Sequence, residues 1–571
     1  MNTYANFMPP FSGGAGAGFA RIVGGLLQTI VDADVSPHIV TANARYYDII
    51  GFDPRGIGET EPQAYCIRDS AASWSWGLRE NTVGLLGSSD ASLGRLWSMS
   101  HAWGNACKHT MDMESGPNIK QYMSTAFVAR DMLQIAEKHA SLVAQTVAQL
   151  DQKTQRVRAP EDVPVKPSDA KVDYWGFSYG TMLGSTFASM FPDRIGRFML
   201  DGVVSSYDYV HALGNGSLTD SQKAMDSFYT FCVYAGPSLC PLAASTASTY
   251  SDVEERTHNI LQSLYHNPLI LNMTYGPDVL TYSDVKAVIF SALYSPKVTF
   301  PQIAELLFEL ERGYGYIITL LAAKYQYTHA HVYSCSEASL PEASTFTPTF
   351  AVLCSDSIDE TYLDIKQFSE YWDLLEGLSP AAGAIWSMLR LRCASWKIKA
   401  SHKFNGPFGG NTSNPILFVS NTADPVTPLR SGRLMHSFFP NSGILVSDMA
   451  GHCSVSALNT CLVNHIKSYF QTGNLPPQDT VCIPPPSPFS LNSTDPKSPF
   501  YDPSLGHMRM ELATPLGEYH TEEEAIVHKA SHDLTRTVAE QDLLGVGKLL
   551  GGGGLMVGNF LEMAAQEFEF L

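Results

Sequence analysis

The sequence predicts an α/β fold: a mostly parallel sheet flanked by helices and interrupted by a large helical insertion. Three observations carry this prediction. Short buried-strand patterns, bounded by glycine or proline, recur within 46–60, just before Ser178, at 197–204, at 414–420 and at 443–446. Helical patterns stand beside two of them, as parallel strands require for their crossovers. Between about 206 and 405 the strand signal fades, and only helical segments joined by polar loops remain.

In chain order, residues 12–18 (Ser-Gly-Gly-Ala-Gly-Ala-Gly) form a glycine-rich loop, and Phe19 to Val31 follow as a helix. No Lys-Ser/Thr follows the loop, so it is not a P-loop. Its place ahead of a serine turn suits another role, donating a backbone N–H to an oxyanion. Residues 46–60 read as a buried strand ending in a turn at Asp53-Pro54-Arg55-Gly56. Thr125 to Leu150 has apolar residues at helical spacing (Phe127, Met132, Leu133, Ala136). Tyr174-Trp175-Gly176-Phe177-Ser178-Tyr179-Gly180 is strand, sharp turn and helix start. Gly-x-Ser-x-Gly in that setting is the nucleophile elbow of α/β-hydrolases, whose strained turn holds the serine Oγ clear of the sheet. Gly180, Gly184 and Ala188 then give one helix face small enough to lie close to the strands.

The fold class thus narrows to the α/β-hydrolase fold, with a first core part at 1–205, a helical lid at 206–405 and a second core part at 406–483. Helical segments are expected near 221–234, 252–265, 283–294, 301–324 and 359–398, then at 465–470. Residues 484–499 read as a Pro/Ser linker. The remainder to 571 is a tail with helical pattern from Glu522 to Leu543 and no visible chemistry.

The chain has 571 residues and a net charge of −19, which argues against nucleic acid and anionic membranes as partners. Its ten cysteines include no Cys-x-x-Cys pair and no zinc-like His/Cys spacing, so neither metal nor other cofactor is expected. Asn-x-Ser/Thr acceptors stand at Asn215, Asn272, Asn411 and Asn492. Cysteines, acceptors and acidity together point to a secreted, disulfide-bonded glycoprotein. The first residues carry no signal-peptide pattern, so the natural beginning is expected to lie upstream of Met1.

An α/β-hydrolase needs nucleophile, acid and histidine in that order along the chain. Ser178, Asp424 and His452 supply it, each after a predicted strand. A serine hydroxyl is a poor nucleophile until an imidazole takes its proton, and the imidazole needs a carboxylate to fix its tautomer. Activity should therefore fall as His452 becomes protonated in acid. Asp448 is a rival acid, four residues before His452. The Tyr179 amide is the first oxyanion donor, and Gly13 or Gly14 the candidate for the second.

The segments Asp48 to Gly58, Tyr174 to Gly184, Phe191 to Val203, Asn421 to Pro428 and Ala450 to His452 resemble the tripeptidyl-aminopeptidase-like (TAP-like) branch of the α/β-hydrolases, relatives of the prolyl aminopeptidases. Cys461 to Cys482, with Gly473-Asn474-Leu475-Pro476 between them, resembles that family's C-terminal end. The resemblance spans about residues 10–483. It implies a secreted serine exopeptidase that removes tripeptides or single residues from peptides with a free N-terminus. It also implies disulfides Cys66–Cys107, Cys232–Cys240, Cys354–Cys393 and Cys461–Cys482. Cys335 and Cys453 are left as either a further bridge or two thiols.

Three departures stand out, one being the tail after Cys482, which has no counterpart in the family. The family's oxyanion loop resembles Asn-Pro-Gly-Gly-Pro-Gly, whereas Phe11-Ser12-Gly13-Gly14-Ala15-Gly16 stands here. The strands expected before that loop are largely absent. Lid carboxylates that would grip the substrate ammonium include Asp208, Asp226, Glu254 and Glu255. The same triad could serve a carboxylic-ester hydrolase, and a degenerate, non-catalytic binding protein is the reading from another class.

Overall fold

The computed structural model describes residues 3–8, 16–34, 44–154, 164–211, 214, 216–273, 276–315, 346–483, 488–491, 526–527 and 529–539. Its main sheet has seven strands: β1 (Thr3–Met8), β2 (Tyr46–Gly51), β3 (Val172–Phe177), β4 (Ile195–Asp201), β7 (Ile416–Ala423), β8 (Gly443–Ala450) and β9 (Val481–Cys482). They lie in the order β2-β1-β3-β4-β7-β8-β9, and every neighbouring pair is parallel. The α/β-hydrolase fold predicted from sequence is the fold observed.

A parallel sheet is covered on both faces, so its strands are apolar throughout rather than alternating. All six residues of β3 are buried. Trp175 and Phe177 share one cluster with Val23 and Leu27 of the first helix and Leu462 and Ile466 of the helix Thr460–Thr472. Tyr174, from the opposite pleat, packs with Leu183, Phe187, Phe198 and the long helix Thr125–Thr154. The small face of the elbow helix is needed for this closeness, because a Cβ on Gly184 would sit 2.4 Å from Leu200 Cδ2.

The Asp53-Pro54-Arg55-Gly56 turn acquires a structural reason. Asp53 Oδ1 accepts the Ala17 N–H at 2.8 Å, at the start of the first helix. Arg55 grips Asp131 through two nitrogens, at 2.5 and 2.8 Å, and so ties the turn to the helix Thr125–Thr154.

Between β4 and β7 lies the predicted helical insertion. Three of its helices, Tyr250–His266, Tyr282–Ala292 and Ile365–Leu378, open on capping boxes at Thr249, Thr281 and Asp364. Of the segment expected at 301–324, the first part belongs to a helix Pro296–Arg312 that ends where Gly313 takes the left-handed conformation, and 316–324 lie outside the described residues. The segment expected at 359–398 is two helices, Ile365–Leu378 and Gly383–Ser395.

One hairpin and two further strands, β1 and the two-residue β9, escaped sequence reasoning. The antiparallel pair β5 (Leu269–Met273) and β6 (Gly276–Leu280) forms a hairpin inside the insertion. Its Gly276-Pro277-Asp278 start is poor strand composition. β1 precedes the glycine-rich loop and sits between β2 and β3, so the sheet does have a strand ahead of that loop.

The four implied disulfides are present: Cys66–Cys107, Cys232–Cys240, Cys354–Cys393 and Cys461–Cys482. Cys335 lies outside the described residues, as do Asn215, Asn492 and most of the tail. Asn272 falls on β5, and Asn411 is exposed in the loop before β7.

The described part of the tail is not a detached appendage. It is helical at 526–527 and 529–539 and docks on the core. Leu534 and Val538 are fully buried among Val23, Leu458 and Leu462. Thr535 Oγ1 accepts the Leu458 N–H at 3.3 Å. Leu534→Ala should therefore lower unfolding stability by about 2–5 kcal/mol, the usual loss for a buried leucine truncated in a packed core. Denaturant unfolding checks this, and a change under about 0.5 kcal/mol, typical of surface substitutions, would mean that the helix does not dock in solution.

Candidate active site

The elbow forms as its sequence requires. Ser178 caps the helix Tyr179–Met190 with φ 53° and ψ −122°, a strained conformation for a residue with a side chain. Its N–H donates to the Asp201 carbonyl at 3.0 Å, at the carboxyl end of the neighbouring strand β4. Tyr179 opens the helix, where the first N–H groups have no acceptor within the helix and the dipole favours negative charge.

Asp424 follows β7 and His452 follows β8, and both are buried. His452 Nδ1 lies 3.0 Å from each oxygen of Asp424. That contact places the proton on Nδ1 and leaves Nε2 as the acceptor. Asp424 is further fixed by the N–H groups of Val426, Thr427 and Cys453, at 3.0, 2.8 and 2.9 Å. Burial alone would raise its pKa. The charge and hydrogen bond of His452, with the amides of Cys453 and Val426, prevail and hold the carboxyl below its usual 3.8. The rival Asp448 is exposed and accepts from Thr422 Oγ1 at 2.8 Å, away from the imidazole.

Asp201 joins the three strand ends. Its carbonyl takes the Ser178 N–H and, at 3.4 Å, the Cys453 thiol. Its carboxylate accepts from Ser454 N at 2.7 Å, Ser454 Oγ at 2.5 Å and Trp175 Nε1 at 3.2 Å. Burial nevertheless pushes this carboxyl up to about 6, against those donors. Gly202 follows with φ 66°, and a Cβ there would lie 2.3 Å from Cys453 Sγ. The serine turn and the histidine turn are thus bonded to one residue.

Other positions were not singled out from the sequence. Thr427 Oγ1 stands 3.2 Å from His452 Nδ1. Asn421 Nδ2 donates to the carbonyls of Gly451 and Cys453, at 2.8 and 2.7 Å, bracketing the histidine. Both lie in the Asn421 to Pro428 motif, so the segment was visible and the separate tasks were not. Tyr294, from the insertion, accepts the His452 N–H at 2.7 Å and sets its ring edge-on at 4.9 Å. No sequence signal links it to His452.

Gly13 and Gly14 lie outside the described residues. Of the lid carboxylates, Asp208 is engaged by Gly214 N, Gly216 N and Ser217 Oγ, and Asp226 by Gln222 and Tyr250. Glu254 is half-buried and Glu255 exposed. Cys461, His465 and Cys482 are close together, but two of their sulfurs form a disulfide and cannot serve as thiolate ligands.

Residues 379–482, which include β7, Asp424, β8 and His452, match the family model described as TAP-like protein. That segment of the α/β-hydrolase fold is similar to TAP-like proteins. It is 25% identical over 448 residues to serine protease Hip1 of Mycobacterium tuberculosis, covering 76% of this chain and 74% of that protein. It is 23% identical over 456 residues to tripeptidyl aminopeptidase of Streptomyces coelicolor, covering 79% and 73%. Carboxylesterase B of Mycobacterium tuberculosis is 25% identical over 476 residues, covering 83% and 79%. The matched segment contains both Asp424 and His452. Among the described residues no helix is long and apolar enough to cross a membrane.

Proposed function

We propose that the chain is a serine exopeptidase that cleaves short peptides or single residues from a free N-terminus through an acyl-enzyme on Ser178. The single observation that carries this reading is the buried Asp424–His452 pair, tied through Asp201 to a strained serine elbow. Its TAP-like and protease relatives support peptide bonds as the target.

In this reading Ser178 Oγ attacks the scissile carbonyl while its proton passes to His452 Nε2. Asp424 stabilises the imidazolium that forms. The carbonyl oxygen becomes an oxyanion facing the Tyr179 amide and a second amide from the glycine-rich loop. His452 returns the proton to the leaving amine. It then takes a proton from the water that hydrolyses the acyl-enzyme. The four disulfides favour an oxidising, extracellular setting.

A peptide with a free N-terminus should be turned over about 10²-fold better than its N-acetylated form, the scale of losing one partner of a buried charge pair. Paired kcat/KM measurements check this, and equal turnover would refute the exopeptidase reading. The carboxylesterase relative favours a second reading, ester hydrolysis by the same triad. Rapid turnover of simple esters with no cleavage of either peptide would select it.

A further inference from the structure

The mechanism uses the backbone of Tyr179 and leaves its side chain without a task. That side chain is buried, and its hydroxyl lies 2.6 Å from Thr125 Oγ1. Thr125 donates its own hydroxyl to Asp356 Oδ2 at 2.5 Å and its N–H to Asp356 Oδ1 at 2.9 Å. The Tyr209 hydroxyl reaches the same Oδ2 at 3.5 Å. Four elements meet here: the first turn of the helix Thr125–Thr154, the elbow helix, the short helix Ser206–His211 that carries Tyr209, and the end of the helix Phe346–Asp356 from the insertion. The last is anchored two residues earlier by the Cys354–Cys393 disulfide.

The chemistry orders these bonds. When ionised, the Asp356 carboxylate only accepts, and the Thr125 proton then points to Asp356. Thr125 Oγ1 is then left as an acceptor, and Tyr179 must donate to it. One buried acid thereby sets the direction of each hydrogen bond up to the residue after the nucleophile. Asp356 is unfavourably placed for an acid, since burial pushes its carboxyl up to about 7 despite Thr125 and the charge of Lys403. A neutral side chain would fill the space without that penalty, so packing alone does not account for an acid here.

We propose that Asp356, acting through Thr125, is a positioning residue that holds Tyr179 so that its backbone N–H stays aimed at the oxyanion. The insertion is thereby coupled to one half of the oxyanion hole. This rests on the reading of Ser178 as nucleophile. The elbow backbone beside Tyr179 is strained, and a tether on the side chain limits rotation of the peptide that carries the donor. A misplacement of about 1 Å in such a site costs about 10²-fold in rate.

Tyr179→Phe and Thr125→Val remove hydroxyls while keeping shape, and Asp356→Asn removes the charge. Rates should be normalised to active sites titrated with a fluorophosphonate. All three are expected to lower kcat by about 10- to 100-fold, within the scale of impaired oxyanion stabilisation, with KM changed less than about twofold. Thr125→Ser, which keeps the hydroxyl, should recover most of kcat. If wild-type Ser178 is labelled and Tyr179→Phe and Thr125→Val both keep the wild-type kcat per titrated site, the tether has no positioning role. A deficit that disappears on normalisation would likewise assign these residues to folding alone and overturn the proposal. Failure of the fluorophosphonate to label wild type at Ser178 would instead strike the nucleophile reading, so the two failures are distinguishable.

Discussion

Ser178→Ala should lower kcat by about 10⁶-fold, the scale seen when the nucleophile of a serine triad is removed. The Asp424–His452 pair can accept a proton, but it needs an oxygen nucleophile presented at the tip of the strained turn. A fluorophosphonate should label the wild-type chain once, and labelling should vanish in the variant. The fold should survive, because the Ser178 N–H to Asp201 bond is a backbone contact that alanine retains. Turnover by Ser178→Ala within tenfold of wild type would exclude Ser178 as nucleophile and leave the elbow as a tight turn only.

Asp424→Asn should lower kcat by about 10⁴-fold at neutral pH with the site geometry kept, as expected when the carboxylate of such a triad is made an amide. The reason is the tautomer. An amide nitrogen facing His452 Nδ1 would donate to it, moving the ring proton to Nε2, where the Ser178 proton must go. Asp448→Asn is the matched control. That residue is exposed and bonded to Thr422, so its change should leave kcat within about twofold, as for a surface substitution away from the site. Equal losses in the two variants would overturn the assignment of the acid. Stability carries a second signature. The folded-state pKa of Asp424 is depressed below 3.8. Its ionic stabilisation is therefore complete above that value and is lost as pH falls through the lower, folded pKa. The stability gap between wild type and Asp424→Asn should keep its full size above pH 3.8 and close only in stronger acid, which pH-dependent unfolding can follow.

The legibility of the fold differed from one element to the next for physical reasons. β3 and β7 are buried on both faces, so their apolar runs stood out in the sequence. β1 was missed, and the hairpin of β5 and β6 leaves Ile270 and Val279 exposed. Neither β1 nor β6 reads as a continuous apolar run, and the pairing of β1 is decided by strands far along the chain. The tail helix was legible as a pattern, but its docking was not. Amphipathicity says that Leu534 and Val538 share a face and does not say which surface covers it.

The candidate site divides in the same way. Ser178, Asp424 and His452 could be chosen from sequence because each needs a particular residue type at a strand end, in a fixed order along the chain. The implied cysteine pairs followed from the resemblance, and the structure holds those same four bridges. Sequence alone thus determined the fold class, the order of the constellation and the residue types able to perform the chemistry. Only the tertiary structure decided that Asp201 joins the serine and histidine turns, that Tyr294 touches the histidine, and that Asp356 reaches Tyr179 through Thr125. Hydrogen bonds depend on distances of a few ångströms between side chains that are remote in sequence. Local propensity and periodicity carry no information about such distances until the sheet and the insertion are packed together.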